Sequence, residues 1–397
     1  MDYLQIKSKD KVSEVSLEKK RYLYTQIPWN QRLIGILGGR GTGKTTLLLQ
    51  HLKETYGKSS KGLYVSLDDI YFSDNRLYNL ATTFRRGGGK ALYLDEVHKY
   101  PDWSQEIKNL YDDFKDLKIY FTGSSLLQLA KQKGDLSRRA LFFYLEGLSF
   151  REFLDFKKVI SIDAVKLPDL LKNHEEIARQ LSRKMKPYEH FPFYIKKGAY
   201  PFVFEDEDNY WQRLDETIQL TIENDMALYE GFDAGNFRKM KQLLFVIAAN
   251  VPFKPNVMKL SDRTGITRNT IIRYFDLLER GKVLRALHAS GIGIGSMQKP
   301  EKLYLYNTNL AFALAGENTN AGTLRETFFA NQLSVMHKLT VPHDGDFMVD
   351  GKYTFEVSGK NKTAHQVKNI RNSFVVSDEI EKGINNKIPL WLFGLLY

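Results

Sequence analysis

Eight residues constrain this chain more than any other stretch. Gly38-Gly39-Arg40-Gly41-Thr42-Gly43-Lys44-Thr45 fits the pattern GxxxxGK[ST], and its flanks are of the kind that pattern requires. Before it, Arg32-Leu33-Ile34-Gly35-Ile36-Leu37 reads as a buried strand; after it, Thr46-Leu47-Leu48-Leu49-Gln50-His51-Leu52-Lys53 reads as the first turns of a helix. A strand, a glycine loop and a helix in that order aim several backbone N–H groups and a positive helix end at one point, which makes an anion cradle. The expected ligand is a nucleotide, ATP, lined by Gly38, Gly39, Arg40, Gly41, Thr42, Gly43, Lys44, Thr45 and Thr46. Lys44 would contact the outer phosphates, and the Thr45 hydroxyl would be offered to Mg2+.

A second strand carries the acids such a loop needs. Ala91-Leu92-Tyr93-Leu94-Asp95-Glu96 is apolar and ends in two carboxylates, and a parallel sheet would bring that end beside the loop. Asp95 is then expected to hold magnesium through water, and Glu96 to orient or deprotonate the attacking water. The next apolar strand, Lys118 to Phe121, runs into Thr122-Gly123-Ser124-Ser125. Its hydroxyls, Ser124 foremost, would sense the terminal phosphate or place the water; a plain Gly-Ser turn is the other reading. Arg138 and Arg139 either include a finger that reaches a neighbouring subunit's nucleotide or pair with surface acids.

At 397 residues the chain is long enough for two to four domains, and 43% hydrophobic residues can build real cores. No apolar run approaches the roughly 18 residues of a membrane span, and the charged first 21 residues lack the apolar segment of a secretion signal, so the expectation is a cytoplasmic protein without a membrane partner. With no cysteine there is no disulfide, thiol catalysis or cysteine-bound zinc, and the eight histidines show no ligand spacing. The net charge is +11. Lys254 to Lys302 holds ten Lys and Arg against four Asp and Glu, a local +6, which favours an anionic partner at that stretch.

GGRGTGKTTLL, LYLDEVHKYPDW, IYFTGSS and LSRRALFFYLEGLSFREFL together resemble the AAA-type core of a prokaryotic family of ATP-binding proteins. The resemblance is specific over residues 28 to 156 and looser beyond. It implies an AAA-like use of the loop, followed by a winged helix and a C-terminal domain of uncharacterised function similar to the restriction-endonuclease fold. AAA-type rings expose nucleotides at subunit edges, so a homo-oligomer is consistent with it.

Beyond the core, residues 151 to 250 read mainly as helices, with a dense aromatic, Gly and Pro segment from Phe191 to Pro201 that resembles the lid region of that family or serves as core packing. From Pro255, Val257 to Thr264 reads as a helix, Gly265-Ile266 as a turn, Thr267 to Arg280 as a second helix capped by Thr267, and Gly281 to Leu287 as the start of a strand. That outline fits a winged helix-turn-helix. Arg268, Asn269, Thr270 and Arg273 would face DNA, with Ile271, Ile272, Phe275, Leu277 and Leu278 buried; such a module also grips proteins.

The last hundred residues hold a helix from about Thr323 carrying Glu326, then two alternating strands around Asp350-Gly351-Lys352 that place Asp346 and Glu356 on one hairpin. Glu326, Asp346 and Glu356 resemble the metal-binding acids of PD-(D/E)xK nucleases. Ser358 stands where that pattern has lysine, with Lys360 and Lys362 nearest, so the domain is expected to be degenerate. The apolar end, Lys387 to Tyr397, should form a closing strand or pack on the core, or serve as an interaction tail.

The resulting expectation is an α/β chain: an AAA-like P-loop NTPase parallel-sheet core (residues 1–156), a helical lid (157–250), a winged helix (251–300) and a small α/β nuclease-like domain (301–397). Its function would be an ATP-binding and ATP-hydrolysing AAA-like switch or motor acting on nucleic acid or a nucleoprotein. The alternatives are an ATP-dependent nuclease and an ATP-regulated switch that binds a protein.

Overall fold

The computed structural model describes residues 2–123, 136, 138–225, 234–290, 299–316, 319–360 and 370–397. The chain divides at Glu146–Gly147 into two compact units. The segments expected as lid, helix-turn-helix and C-terminal domain lie together in the second.

The first unit is built on five parallel strands: β1 (Leu33–Leu37), β2 (Gly62–Ser66), β3 (Ala91–Asp95), β4 (Lys118–Gly123) and β5 (Leu141–Tyr144). Their order across the sheet is β2-β3-β4-β1-β5, all in parallel register. Strands β1 and β3 are buried along their whole length, which is why they read as unbroken apolar runs rather than as alternation. Two apolar layers cover the sheet. One gathers Leu77, Leu80 and Phe84 of the helix Leu77–Arg86 with Trp103, Ile107 and Leu110 of the helix Trp103–Asp113. The other gathers Leu47, Leu48 and Leu52 of the helix Lys44–Tyr56.

In the second unit the helix Val257–Thr264 is capped by the Asn256 side chain, stops at Gly265 (φ 66°), and gives way to Arg268–Arg280, whose cap is Thr267. Ile271, Phe275, Leu277 and Leu278 are buried as their spacing requires; Tyr274 joins them, and Ile272 is only half-buried. β6 (Leu284–Leu287) follows and pairs antiparallel with β7 (Lys302–Leu305). A mixed sheet runs β12-β11-β10-β9-β8, from β8 (Leu339–Thr340), β9 (Phe347–Val349), β10 (Tyr353–Ser358), β11 (Ser373–Ser377) and β12 (Lys387–Pro389). β9 and β10 form the expected hairpin, turned by Asp350 and Gly351 at φ 54° and 64°.

Two elements go beyond the sequence reading. Pro187–Lys197 is a helix that runs through Pro192, and its Phe191 and Tyr194 pack edge-on against Phe328, so these aromatics build core. Thr308–Ala315 is a separate helix with an Asn307 cap; its nearly unbroken apolar sequence gives no 3.6-residue contrast by which to recognise it. The apolar chain end forms β12 and a buried turn over Leu390–Leu395. Among the described residues no helix is long and apolar enough to cross a membrane.

Candidate nucleotide site

The site is assembled from the carboxyl ends of neighbouring parallel strands, where α/β sheets bind ligands. β1 delivers the glycine loop. A Cβ at Gly38 would lie 2.3 Å from the Leu145 carbonyl oxygen, so only glycine lets the loop pass that strand exit. Gly43 caps the following helix at φ 93°, a conformation that favours glycine. Thr42 Oγ1 donates to the Gly39 carbonyl at 3.0 Å and fixes the loop from within. Lys44 is buried, and its Nζ donates to the carbonyls of Gly38 at 3.0 Å and Gly39 at 2.7 Å. Arg40 is half-buried at the rim, while Gly41 and Thr46 are exposed.

β3 delivers the acids. Asp95 is 3% exposed, and three hydroxyls converge on its carboxylate. Thr45 Oγ1 donates to Oδ2 at 2.8 Å, Tyr64 O–H donates to the same oxygen at 2.9 Å, and Thr122 Oγ1 donates to Oδ1. Burial, reinforced by the Asp95 charge, drives the Tyr64 phenol far above its ordinary pKa, so it stays a donor. Glu96 follows in the left-handed region at φ 51°, which turns its side chain away from the strand direction. Its backbone N–H donates to Thr122 Oγ1 at 3.4 Å. Its carboxylate lies 3.6 Å from His98 Nε2 and 3.8 Å from Lys99 Nζ, and Lys99 also holds Asp68 at 2.9 Å.

Thus Lys44, Thr45, Asp95 and Glu96 meet at one strand-end edge. Ser124 lies outside the described residues. Arg138 is exposed. Arg139 is tied by Nε and Nη2, each 2.9 Å from an Asp112 oxygen, and that guanidinium holds the Asp112 carboxyl below its usual range. The sequence reading did not single out Tyr64, whose role follows from β2 lying beside β3, or Arg21, which is held by backbone carbonyls. Thr122 is among the expected strand-end hydroxyls, and of those in the described residues it contacts Asp95.

In the second unit, Arg268, Asn269 and Arg273 are exposed on their helix. Thr270 is half-buried and belongs to the cap, its N–H donating to Thr267 Oγ1 at 3.3 Å. Around the hairpin, Lys302 Nζ lies 3.7 Å from Glu326 and 3.5 Å from Asp346, and Tyr304 O–H donates to Glu326 at 2.7 Å. Asp346 also accepts the Val357 N–H at 2.9 Å; Glu356 is buried on the same strand. A lysine therefore stands between two of the three expected acids. Among the described residues no group of three His, Cys, Asp or Glu could hold a metal ion.

A glycine loop after β1, an acid pair at the end of β3 and a hydroxyl near the end of β4 give the first unit the arrangement of a P-loop NTPase core. Residues 30–154 match the family model described as "AAA domain", and residues 188–321 match a domain of unknown function, DUF8612. An uncharacterised protein of Methanocaldococcus jannaschii, MJ1637, is 27% identical over 314 residues, which are 74% of this chain and 66% of that protein. The chain thus spans just under two thirds of that relative's length. Among solved structures, the Walker-type ATPase PABY2304 of Pyrococcus abyssi aligns at a TM-score of 0.40 and 12% identity over 78% of this chain and 95% of its own. AMPPCP-bound DnaA from Aquifex aeolicus aligns at 0.26 and 15% identity over 66% and 85%.

Proposed function

We propose that the first unit binds ATP with Mg2+ and hydrolyses it, and that the cycle drives a switch or motor acting on nucleic acid through the second unit. The observation that carries the first half is the contact of Thr45 with Asp95 beside the glycine loop. A hydroxyl and a carboxylate brought together next to a phosphate cradle are the oxygen donors a magnesium ion takes, so the donor set fits the ion. Magnesium held there by Thr45 and Asp95 would neutralise charge on the outer phosphates. Lys44 supplies the matching ammonium from the loop. Glu96, set apart from Asp95 by its left-handed backbone, is the base or orienter of water. Thr122, bonded to both acids' residues, holds them in a fixed relation. An arginine finger, if one is supplied to a neighbouring copy, falls to exposed Arg138 rather than to Arg139, which Asp112 already holds.

Support for a nucleic-acid partner is the local +6 charge together with exposed Arg268, Asn269 and Arg273 on the second helix of the helix-turn-helix. The deciding experiment measures ATPase rate with duplex DNA, single-stranded DNA, RNA or none, in wild type and Lys44→Ala. Hydrolysis lost in Lys44→Ala and stimulated by one nucleic acid is the expected result. Hydrolysis that no nucleic acid stimulates would shift the reading to a protein-binding switch. Arg268→Ala with Arg273→Ala should weaken duplex binding and flatten its log–log salt dependence by about 1.8; an unchanged slope refutes contact through this helix.

A further inference from the structure

Arg21 performs a task that the loop pattern does not explain. It precedes β1, is 5% exposed, and spends its guanidinium on two backbone carbonyls: Nη1 donates to Thr42 at 2.5 Å and Nη2 to Glu146 at 2.8 Å. Thr42 lies inside the phosphate loop. A trans peptide unit is planar, so the Thr42 carbonyl and the Gly43 N–H point in opposite directions. Drawing the carbonyl toward Arg21 turns the Gly43 N–H away from it.

We propose that Arg21 is a positioning residue for the phosphate loop. It fixes the Thr42–Gly43 peptide so that the Gly43 N–H is presented to the nucleotide's phosphates, an inference that rests on the reading of this loop as the ATP site. The second bond extends the effect. Glu146 follows Leu145, whose N–H donates to Leu37 at 2.7 Å and whose carbonyl blocks any side chain at Gly38. One guanidinium therefore clamps the loop to the strand exit that runs alongside it, and tightening the loop around phosphates tightens residues 144–146 with it. A planar fork with two outward donors can hold two carbonyls at once; the single ammonium of lysine serves them poorly.

The test titrates a fluorescent ATP analogue into wild type, Lys44→Ala, Arg21→Lys and Arg21→Gln, with melting curves in the absence of nucleotide and hydrogen exchange at residues 42–46 and 144–146. Arg21→Gln should weaken binding by about 10- to 100-fold, the range for bonds from a charged group. Arg21→Lys should recover part of that loss while melting within a few degrees of wild type. In turnover the loss should fall on KM more than on kcat, and nucleotide should no longer protect residues 144–146 together with the loop. If Arg21→Lys and Arg21→Gln bind as tightly as wild type while Lys44→Ala does not, the clamp is refuted and the ATP site stands. Should Arg21→Gln fail to fold, wild-type affinity in Arg21→Lys alone overturns the proposal. If wild type itself does not bind the analogue, the underlying reading fails instead.

Discussion

Replacing Asp95 with asparagine separates the two tasks that this carboxylate combines. Structurally it accepts three hydroxyls, from Thr45 and Tyr64 on Oδ2 and Thr122 on Oδ1. Asparagine can keep its carbonyl toward Thr45 and Tyr64 and turn its amide toward Thr122, whose hydroxyl can accept as well as donate. Each polar heavy atom then keeps a partner, although the Thr122 proton loses its acceptor. Three hydrogen bonds fall from charged to neutral strength, a loss of about 1 kcal/mol each. Against that, a carboxylate that is 3% exposed no longer has to be held out of water, which returns several kcal/mol. The two terms are of similar size, so the fold should shift by no more than about 2 kcal/mol, equal to several degrees in melting temperature for a unit of this size. The chemistry has no such compensation, because the anionic oxygen offered to magnesium is gone. ATP turnover should drop by about 100-fold or more, with the magnesium concentration for half-maximal rate moved upward. The assay is steady-state phosphate release across a magnesium series, paired with thermal melts. Near-wild-type turnover in a folded Asp95→Asn protein would refute the assignment of Asp95 to the metal; a collapsed fold would refute the hydrogen-bond accounting.

Two further outcomes follow from groups outside the loop. His51 is stacked on Trp29 with ring centroids 3.9 Å apart and bonded to the Tyr93 hydroxyl at 2.9 Å; burial, with Lys118's charge adding to it, lowers its pKa from 6.5 to about 4. The unfolded chain takes up a proton at this imidazole that the folded chain refuses, so stability falls as pH drops from about 6.5 toward 4, by up to about 3 kcal/mol. Urea midpoints at pH 7 and pH 5 should show this in wild type and much less of it in His51→Phe; equal slopes in the two would sink it. Lys302 lies within 3.7 Å of Glu326 and 3.5 Å of Asp346. Lys302→Met leaves those acids without their cation, which should cost about 3 kcal/mol or more. Manganese should restore more of that loss than it adds to wild type in a thermal melt, and an equal manganese shift in both proteins would show that the lysine does not occupy a cation's place.

Where a sequence pattern carries its own geometry, the sequence was legible. The loop needs glycine at 38 to pass the Leu145 carbonyl and at 43 for its left-handed backbone, so its residues announce it. The helices Val257–Thr264 and Arg268–Arg280 were legible for the same reason, through caps at Asn256 and Thr267 and a left-handed glycine at 265. Tyr64 could not be found this way. In sequence it is one aromatic in an apolar strand; only the pairing of β2 with β3 brings its hydroxyl to Asp95. Arg21 is invisible for a different reason, since its partners are carbonyl oxygens that every residue possesses. Lys302 lies far along the chain from the acids it meets, and alternation relates only neighbours on one strand, such as Ser358 to Glu356.

Strand order explains why the hydroxyl at 122, which needed no motif, is nevertheless fixed. β4 lies between β3 and β1, with Leu94 opposite Phe121 and Leu37 opposite Gly123. The contact from Thr45, after β1, to Asp95, at the end of β3, must therefore pass over the end of β4. Whatever side chain ends β4 at that register lies beneath the contact, shielded from water by both neighbours. Thr122 is fully buried there, so an apolar residue would leave Asp95 Oδ1 short of a partner, while a hydroxyl both satisfies it and accepts the Glu96 N–H. The sheet topology thus turns a two-residue acid motif into a three-residue site. It also sets the spacing between the two acids by a side chain on a third strand rather than by the sequence that joins them.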